Sequence, residues 1–236
     1  MASYVLVPGG WSGGWQLRAV ATHLRADGHQ VFTPTLTGLG ERVHLAHPDV
    51  NLETHIQDIV NVIRFEDLTD VILVGYSYSG MVTTAVADRL PERLAHLIYV
   101  DAYVPNDGQS LADILGPQVM TMLREIADQY GDGWRLPHNP PDAPFRTDQP
   151  LNPAFQAVHL QDPRAFAVPR TFIFCTEDKD PADPIMAPIV QAAAHAKAHS
   201  SWRYHELPTG HVPWETMPQA LARLLHESAQ PYPSAA

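Results

Sequence analysis

The chain has 236 residues, of which 45% are hydrophobic and 17% are charged. This composition supplies enough apolar side chains for a sizeable core, and it excludes intrinsic disorder, which needs low hydrophobicity and high charge. The 15 lysines and arginines against 26 aspartates and glutamates give a net charge of −11. A polyanion such as nucleic acid is therefore a disfavoured partner, because its phosphates would be repelled.

The cysteine count and the first residues bear on the cellular compartment. Cys175 is the only cysteine, which excludes an intrachain disulfide and a zinc site built on paired cysteines, and which fits a reducing compartment. Residues 1–7 carry no basic region and run directly into Pro8, so their apolar stretch is too short for a signal peptide or a membrane span. We expect a cytoplasmic protein without membrane association, either a monomer or a homodimer.

Strand-like and helical patterns alternate along the chain. Short apolar, partly β-branched runs occupy residues 4–7, 30–33, 71–74, 96–100, 171–174 and 202–207. Stretches with helical spacing occupy residues 16–26, 52–65, 81–90, 187–198 and 219–227. This alternation predicts an α/β fold with a mostly parallel sheet of about six strands flanked by helices. Residues 71–74 are apolar on both faces, as expected for a strand covered by helices on each side.

One long interval, residues 105–169, interrupts the alternation, and we call it the insert. No strand pattern is present there; residues 111–130 have helical spacing, and a proline-rich patch follows. The patch contains Pro137, Pro140, Pro141, Pro144, Pro150 and Pro153. An interval of this length inside a compact domain favours a lid or cap. We therefore predict a core formed by residues 1–104 and 170–228, a lid at 105–169, and a flexible tail at 229–236.

Residues 71–81 have the pattern of a buried strand, a sharp turn and a helix start. This order is typical of a nucleophile elbow, G-x-S-x-G, in which small residues let the strand and the helix approach closely. Gly75 occupies the first glycine position, whereas Ser79 replaces the second and is followed by Gly80. We favour Ser77 as the nucleophile because it lies at the strand's exit. Ser79, expected in the first helical turn, is the alternative, and an ordinary turn that contains serines is the non-catalytic interpretation.

A serine nucleophile needs a base and an acid that orients the base, and later strands supply both. Asp178 follows the strand-like run at 171–174, and His211 follows the run at 202–207. The carboxyl ends of parallel strands share one edge of the sheet, so Ser77, Asp178 and His211 are expected to meet there as nucleophile, acid and base. Asp101 also follows a strand and is the alternative acid, although such a residue more often supports a lid hinge.

The loop after the first strand is rich in glycine and predicts an oxyanion hole. Its backbone N–H groups can point at a ligand, and we assign the hole to the amides of Gly10 and Tyr78. The same glycines would also serve a tight turn without any catalytic role. Four further side chains are candidates for a substrate pocket, although those in the insert fit its core equally well. They are Trp11, Met120, Trp134 and Phe155.

Two further patterns are set aside. Residues 38–43 lack the third glycine of a dinucleotide fingerprint and follow the second strand rather than the first. His195 and His199 have the four-residue spacing of zinc ligands, but no His-Glu-x-x-His pattern accompanies them, so a solvated helix face is the better interpretation. We expect neither a cofactor nor a metal ion.

Three of these segments resemble one known family. Residues 7–15, V-P-G-G-W-S-G-G-W, are similar to the V-H-G-A-W-H-G-A-W loop of small α/β-hydrolases. This group contains bacterial carboxylesterases, plant methylesterases and hydroxynitrile lyases. Residues 75–80, G-Y-S-Y-S-G, resemble its G-H-S-Y-G-G elbow, and residues 175–179 resemble its acid loop. The resemblance implies an α/β-hydrolase fold with Ser77 as nucleophile and His211 as base, and with Asp178 as acid.

Together with these residues, the resemblance implies a function. We expect a serine hydrolase that cleaves a small, mostly uncharged carboxylic ester or lactone through an acyl-enzyme. Departures at Pro8, Tyr76 and Ser79, where the family has two histidines and a glycine, affect loop hydrogen bonding and pocket shape rather than the triad. The alternatives are a hydroxynitrile-lyase-like lyase and a non-catalytic receptor of small ligands. Such lyases carry threonine and lysine where this chain has Gly9 and Val212, which disfavours the first alternative.

Overall fold

The computed structural model describes residues 1–138, 145–180 and 182–229. Its strands are β1 (Ser3–Val7), β2 (Gln30–Phe32), β3 (Val71–Tyr76), β4 (Leu94–Val100), β5 (Arg135–Leu136), β6 (Gln149–Pro150), β7 (Arg170–Cys175) and β8 (Trp202–Leu207). Its α-helices are α1 (Arg18–Ala26), α2 (Leu52–Phe65), α3 (Ser79–Arg89), α4 (Leu111–Tyr130), α5 (Ala187–Ala198), α6 (Pro213–Thr216) and α7 (Pro218–Ser228).

Six of the strands form one parallel sheet in the order β2-β1-β3-β4-β7-β8. The chain leaves β1 toward β2 and then crosses back to β3 on the other side of β1. The connections that follow β1 and β3 therefore diverge, which opens a crevice at the carboxyl edge of the sheet. This architecture confirms the predicted α/β fold. It brings the glycine-rich loop after β1, called the oxyanion loop for its predicted role, next to the predicted nucleophile elbow.

The sheet is buried on both faces because alternate residues of its central strands point in opposite directions. Val5 and Leu73 lie in the core cluster on one face, and Tyr4 and Ile72 lie in the cluster on the other. Helices α2, α3 and α5 contribute to the first cluster, whereas α1 and α7 contribute to the second. Burial on both faces explains why these strands are continuously apolar in the sequence.

The insert contains α4, which kinks at Gly116 with φ +81°, and a short antiparallel pair of β5 and β6. The sequence predicted no strand in this interval, and that prediction is wrong for these two elements. Each has only two residues, too few for an alternating pattern, and Pro150 argues against a strand. The expected proline interruptions at 140, 141 and 144 and the expected tail beyond Ala229 lie outside the described residues.

Candidate active site

The nucleophile elbow joins β3 to α3 through Ser77 and Tyr78, and Ser77 has φ +52°. A non-glycine residue at positive φ is uncommon, and surrounding structure must hold it there. The turn is also crowded, since a Cβ atom added to Gly75 would overlap the Thr83 Oγ1 of α3, and one added to Gly80 would overlap the carbonyl oxygen of Tyr103. The small residues of the motif are therefore required by this close approach, as the sequence predicted.

His211, in the loop that follows β8, lies between Ser77 and a carboxylate. Its Nε2 is 3.0 Å from the Ser77 Oγ, and its Nδ1 is 2.6 Å from the Asp101 Oδ2. An ionised carboxylate can only accept, so Nδ1–H donates to Asp101 and the neutral ring leaves Nε2 free to accept the Ser77 hydroxyl proton. The arrangement can increase the nucleophilicity of a serine oxygen.

Asp101 is fully buried directly after β4, with φ +46°. A buried carboxylate needs partners, because its transfer from water is costly. Its Oδ1 accepts a hydrogen bond from the Cys175 amide at 3.3 Å, and its Oδ2 forms an ion pair with Lys179 as well as contacting His211. The Lys179 side chain is itself only 8% exposed. These partners hold the carboxylate in one position beneath the imidazole.

Asp178, the acid expected from the sequence, forms neither a hydrogen bond nor an ion pair with the His211 ring in the described part of the chain, and Asp101 holds the Nδ1 position instead. Its side chain is exposed, and its Oδ2 lies 2.7 Å from the position that a Cβ on Gly210 would occupy. Within the described ranges, it has neither a hydrogen bond nor an ion pair. The turn after β7 carries Asp178 beside the backbone that precedes His211, while the neighbouring turn after β4 places Asp101 on Nδ1.

Ser79, the alternative nucleophile, begins α3 and is fully buried. Its hydroxyl donates a hydrogen bond to the carbonyl oxygen of Pro8 in the oxyanion loop. The hydroxyl therefore joins the elbow to the loop that follows β1 and is directed away from His211. This contact gives Ser79, which replaces the glycine of the family motif, a structural role, and any residue at position 8 would supply the same carbonyl.

Tyr76, the third departure, supports the histidine from the last position of β3. Its hydroxyl donates to the His211 carbonyl oxygen at 2.6 Å, and its ring packs against His211 and Trp214 with centroids 4.9 and 3.9 Å apart. Burial, and secondarily the charge of Asp101, raises the pKa of the Tyr76 phenol well above its ordinary value. The hydroxyl thus remains a donor and holds the His211 backbone.

The amides of Gly10 and Tyr78, expected to form the oxyanion hole, donate no hydrogen bond to any described residue. The Tyr78 side chain is anchored, since its hydroxyl lies 2.8 Å from His55 Nδ1, and His55 Nε2 lies 3.0 Å from the Thr37 carbonyl oxygen. Burial lowers the pKa of His55 to about 4, so the ring is neutral at pH 7, accepts from Tyr78 and donates to Thr37. The residue after the nucleophile is therefore firmly positioned.

The four candidate pocket residues have different positions. Met120 is buried in the main core cluster, and Phe155 packs against the same cluster with the Arg124 guanidinium 4.5 Å from its ring. The structure thus assigns these two side chains to core packing. The carbonyl oxygen of Trp134 accepts a hydrogen bond from the Leu151 amide at 2.8 Å, at the base of the short hairpin of β5 and β6.

Trp11, the fourth candidate, joins the oxyanion loop to the insert. Its indole Nε1 donates to the Leu136 carbonyl at 2.9 Å, its carbonyl accepts from the Thr147 amide at 3.1 Å, and its amide donates to Gln149 Oε1 at 3.2 Å. Sequence reasoning missed both Gln149 and Lys179. Lys179 is the last residue of the acid loop at 175–179, which was a signal in the sequence, whereas Gln149 lies in a proline-rich interval without periodicity.

Sites of other kinds are not apparent in the described ranges. No group of three or more histidine, cysteine or acidic side chains has metal-binding proximity in residues 1–138, 145–180 and 182–229. The rings of His195 and His199 stack with centroids 3.8 Å apart, and the His199 Nδ1 bonds to the His195 carbonyl. None of the helices in this part of the chain combines the length and the apolar character required to span a membrane.

Several known proteins are similar to this chain. A carbendazim hydrolyzing esterase of Nocardioides sp. (strain SG-4G) is 54% identical over 134 residues, which are 57% of this chain and 54% of that esterase. Methylesterase 10 of Arabidopsis thaliana is 24% identical, covering 97% of this chain and 92% of its own length. A pyrethroid hydrolase of Sphingobium wenxiniae is 27% identical, covering 95% and 86% of the two chains.

Solved structures and a family model agree on the fold. An extracellular α/β-hydrolase from a Paenibacillus species superposes with a TM-score of 0.79 at 22% identity, covering 98% of this chain and 100% of that one. Residues 4–224 match the model of the alpha/beta hydrolase family. The match spans the elbow, the histidine loop and all strands of the parallel sheet. The chain therefore belongs to the alpha/beta hydrolase family.

Proposed function

We propose that this protein is a serine hydrolase that cleaves small, mostly uncharged carboxylic esters or lactones through an acyl-enzyme. The observation that carries the proposal is the continuous hydrogen-bond chain from Ser77 Oγ to His211 Nε2 and from His211 Nδ1 to Asp101. Nucleophile, base and orienting acid are the three groups that activate a serine hydroxyl. In this proposal Asp101 takes the acid role that was expected for Asp178.

In the first half of the reaction, Ser77 Oγ attacks the carbonyl carbon while its proton moves to His211 Nε2. The carbonyl π electrons move to oxygen, and the amides of Gly10 and Tyr78 donate to the resulting oxyanion. When this intermediate collapses, the carbon–oxygen bond to the leaving group breaks, and His211 returns the proton to the departing alkoxide. The acyl group remains as an ester of Ser77; a carboxylic ester releases its alcohol at this step, whereas a lactone keeps the new hydroxyl on the acyl chain.

In the second half, water attacks the acyl-enzyme and transfers a proton to His211 Nε2. Collapse of the second intermediate breaks the bond to Ser77, which recovers the proton and releases the carboxylic acid. Asp101 remains ionised throughout and stabilises the imidazolium that forms twice in each cycle. The Lys179 charge beside Asp101 balances the carboxylate when the ring is neutral.

Two observations support an uncharged ester as the substrate class. The esterase, the methylesterase and the pyrethroid hydrolase that resemble this chain are named for ester-cleaving or hydrolytic activities. Lys179, a cation next to the triad, is buried and paired with Asp101, so its charge already interacts with a protein carboxylate. A substrate that carries a carboxylate would gain little from it.

The insert is proposed to act as a lid on the core formed by residues 1–104 and 170–228. Support comes from Trp11, which bonds through its indole and its backbone to Leu136 and Thr147 of the insert. Because Trp11 follows Gly10, any displacement of the insert would act directly on the oxyanion loop. Water exclusion at this point would strengthen the hydrogen bonds to the oxyanion.

The test of this assignment compares Ser77→Ala with Ser79→Ala. We expect Ser77→Ala to abolish ester hydrolysis, whereas Ser79→Ala keeps much of it because only its contact with Pro8 is lost. A fluorophosphonate probe should label the wild-type protein at Ser77, as located by peptide mass spectrometry. Labelling at Ser79, or hydrolysis that survives Ser77→Ala, would overturn the assignment.

A substrate panel tests the reaction class. Purified protein is assayed with aryl esters, alkyl esters, lactones and cyanohydrins, with Ser77→Ala as the matched control. We expect turnover of esters or lactones that disappears in the variant. Cyanohydrin cleavage without ester hydrolysis would instead indicate a lyase, and binding without any turnover would indicate a receptor.

A further inference from the structure

Gln149, the first residue of β6, lies against the oxyanion loop and is 6% exposed. An ideal Cβ built on Gly10 would be 2.0 Å from Gln149 Oε1 and 3.5 Å from Nε2. Gly10 therefore lacks a side chain because the Gln149 amide fills that space. A side chain from the insert thus lies directly beside one of the two backbone amides assigned to the oxyanion hole.

The orientation of the Gln149 amide follows from its partner. Trp11 N–H is a donor, so the atom 3.2 Å from it must be the carbonyl oxygen of Gln149. Nε2 then carries two N–H groups, and no described residue accepts from them. These two N–H groups can therefore donate to an acceptor on a bound substrate.

The position of Gln149 is also rigid. Gln149 pairs with Leu136 in the hairpin, and the Leu136 carbonyl accepts from the Trp11 indole. Trp11 itself, at φ +57°, donates through its amide to Gln149 and accepts through its carbonyl from the Thr147 amide. Donors held in place before the reaction stabilise developing charge without a reorganisation cost.

We propose that Gln149 Nε2 is a third hydrogen-bond donor to the carbonyl oxygen of the bound ester, acting beside the amides of Gly10 and Tyr78. The inference rests on the proposed serine-hydrolase function and extends it to a catalytic residue in the insert. It also makes the insert part of the oxyanion hole, with the Trp11 amide setting the direction of the donor.

The experiment compares Gln149→Glu with Gln149→Met in steady-state hydrolysis of an aryl ester that the wild-type protein cleaves. Glutamate keeps an oxygen for the Trp11 amide and loses the donor, whereas methionine is neutral and loses both. We expect both variants to lose about 10²- to 10³-fold in kcat, as for removal of one oxyanion donor. KM should stay within about threefold, because the contact strengthens only as charge develops.

Two controls separate the donor from its surroundings. Gln156→Glu adds the same charge in the insert, at a side chain whose oxygen accepts from the Glu53 amide, and should leave kcat within about twofold. Trp11→Phe removes only the indole bond to Leu136 and should cost less than about tenfold. Thermal unfolding of every variant is measured alongside to verify that each one folds.

Each remaining outcome decides against the proposal. Full activity of Gln149→Glu would mean that Gln149 only accepts from the Trp11 amide. Full activity of Gln149→Met would mean that the loss of activity in Gln149→Glu comes from the negative charge of glutamate and not from the missing donor. A rise in KM at constant kcat would assign the contact to substrate binding alone. If the wild-type protein cleaves no ester and Ser77 is not labelled, the proposed function is wrong. If the wild-type protein cleaves an ester and Ser77 is labelled, the Gln149 variants test only the role of Gln149.

Discussion

Two neighbouring turns, one after β4 and one after β7, each present an aspartate at positive φ to the edge of the sheet where Ser77 and His211 lie. Asp101 in the first turn is fully buried and contacts His211, Lys179 and the Cys175 amide. Asp178 in the second turn is exposed and lies against Gly210. The difference shows that a motif brings a carboxylate near a histidine, but burial and partners decide which carboxylate orients it.

The largest expected effect comes from Asp101→Asn. An amide in this position no longer favours the required imidazole tautomer or stabilises the imidazolium, so kcat should fall by roughly 10³ to 10⁴. The measurement is kcat on an aryl ester, together with the urea unfolding transition to verify folding. If the variant folds and retains the wild-type kcat, the acid is instead Asp178, in the turn after β7.

The substitution Lys179→Met tests the ion pair that Asp101 forms in the turn after β4 and that Asp178 does not form. Loss of the buried ion pair with Asp101 should lower the free energy of unfolding by about 1.5 to 3 kcal/mol, the usual range for a hydrogen bond to a charged group. Urea denaturation measures this change. Lys197→Met, which breaks an exposed pair with Glu206, is the matched control and should cost less than about 1 kcal/mol. Equal losses in both variants would contradict the structural role of the buried pair.

Asp178→Asn should have a much smaller effect, although the family motif points to this residue. An exposed carboxylate without a partner in the described ranges changes stability by about 0.5 kcal/mol or less when neutralised, and kcat should stay within about threefold. Asp180→Asn, which changes a carboxylate that accepts from the Ala182 amide two residues on, is the control. A large loss of kcat in Asp178→Asn, without a loss in Asp180→Asn, would show that Asp178 and not Asp101 orients His211.

The smallest expected effect is a lack of reaction at Cys175, whose amide bonds to Asp101. Burial, and secondarily the charge of Asp101, raises the pKa of the Cys175 thiol well above its usual range, and the thiolate is the reactive form. Iodoacetamide at pH 8 should leave native Cys175 unmodified and alkylate it in urea, as read by mass spectrometry. Equal rates in both states would show that the turn is open in solution.

The alternation of strands and helices was readable from the sequence because periodicity is a local property of the chain. The bounds of α2 and α5 were predicted residue for residue, and strand 71–74 was extended by two residues, to Tyr76. The elbow was equally local, since helix α3 begins at Ser79 as expected and leaves Ser77 in the turn. The family resemblance supplied the fold and the pairing of Ser77 with His211.

Tertiary structure alone decided which side chains reach these residues. Asp101 is the first residue after β4 and Asp178 the third after β7, and the sequence alone does not rank them. The packing of β4 beside β7 directs Asp101 to Nδ1 and Asp178 to Gly210. Gln149 meets Gly10 across 138 intervening positions through a strand two residues long. Periodicity cannot encode such contacts, because the direction of a buried side chain depends on neighbours that are distant in the chain.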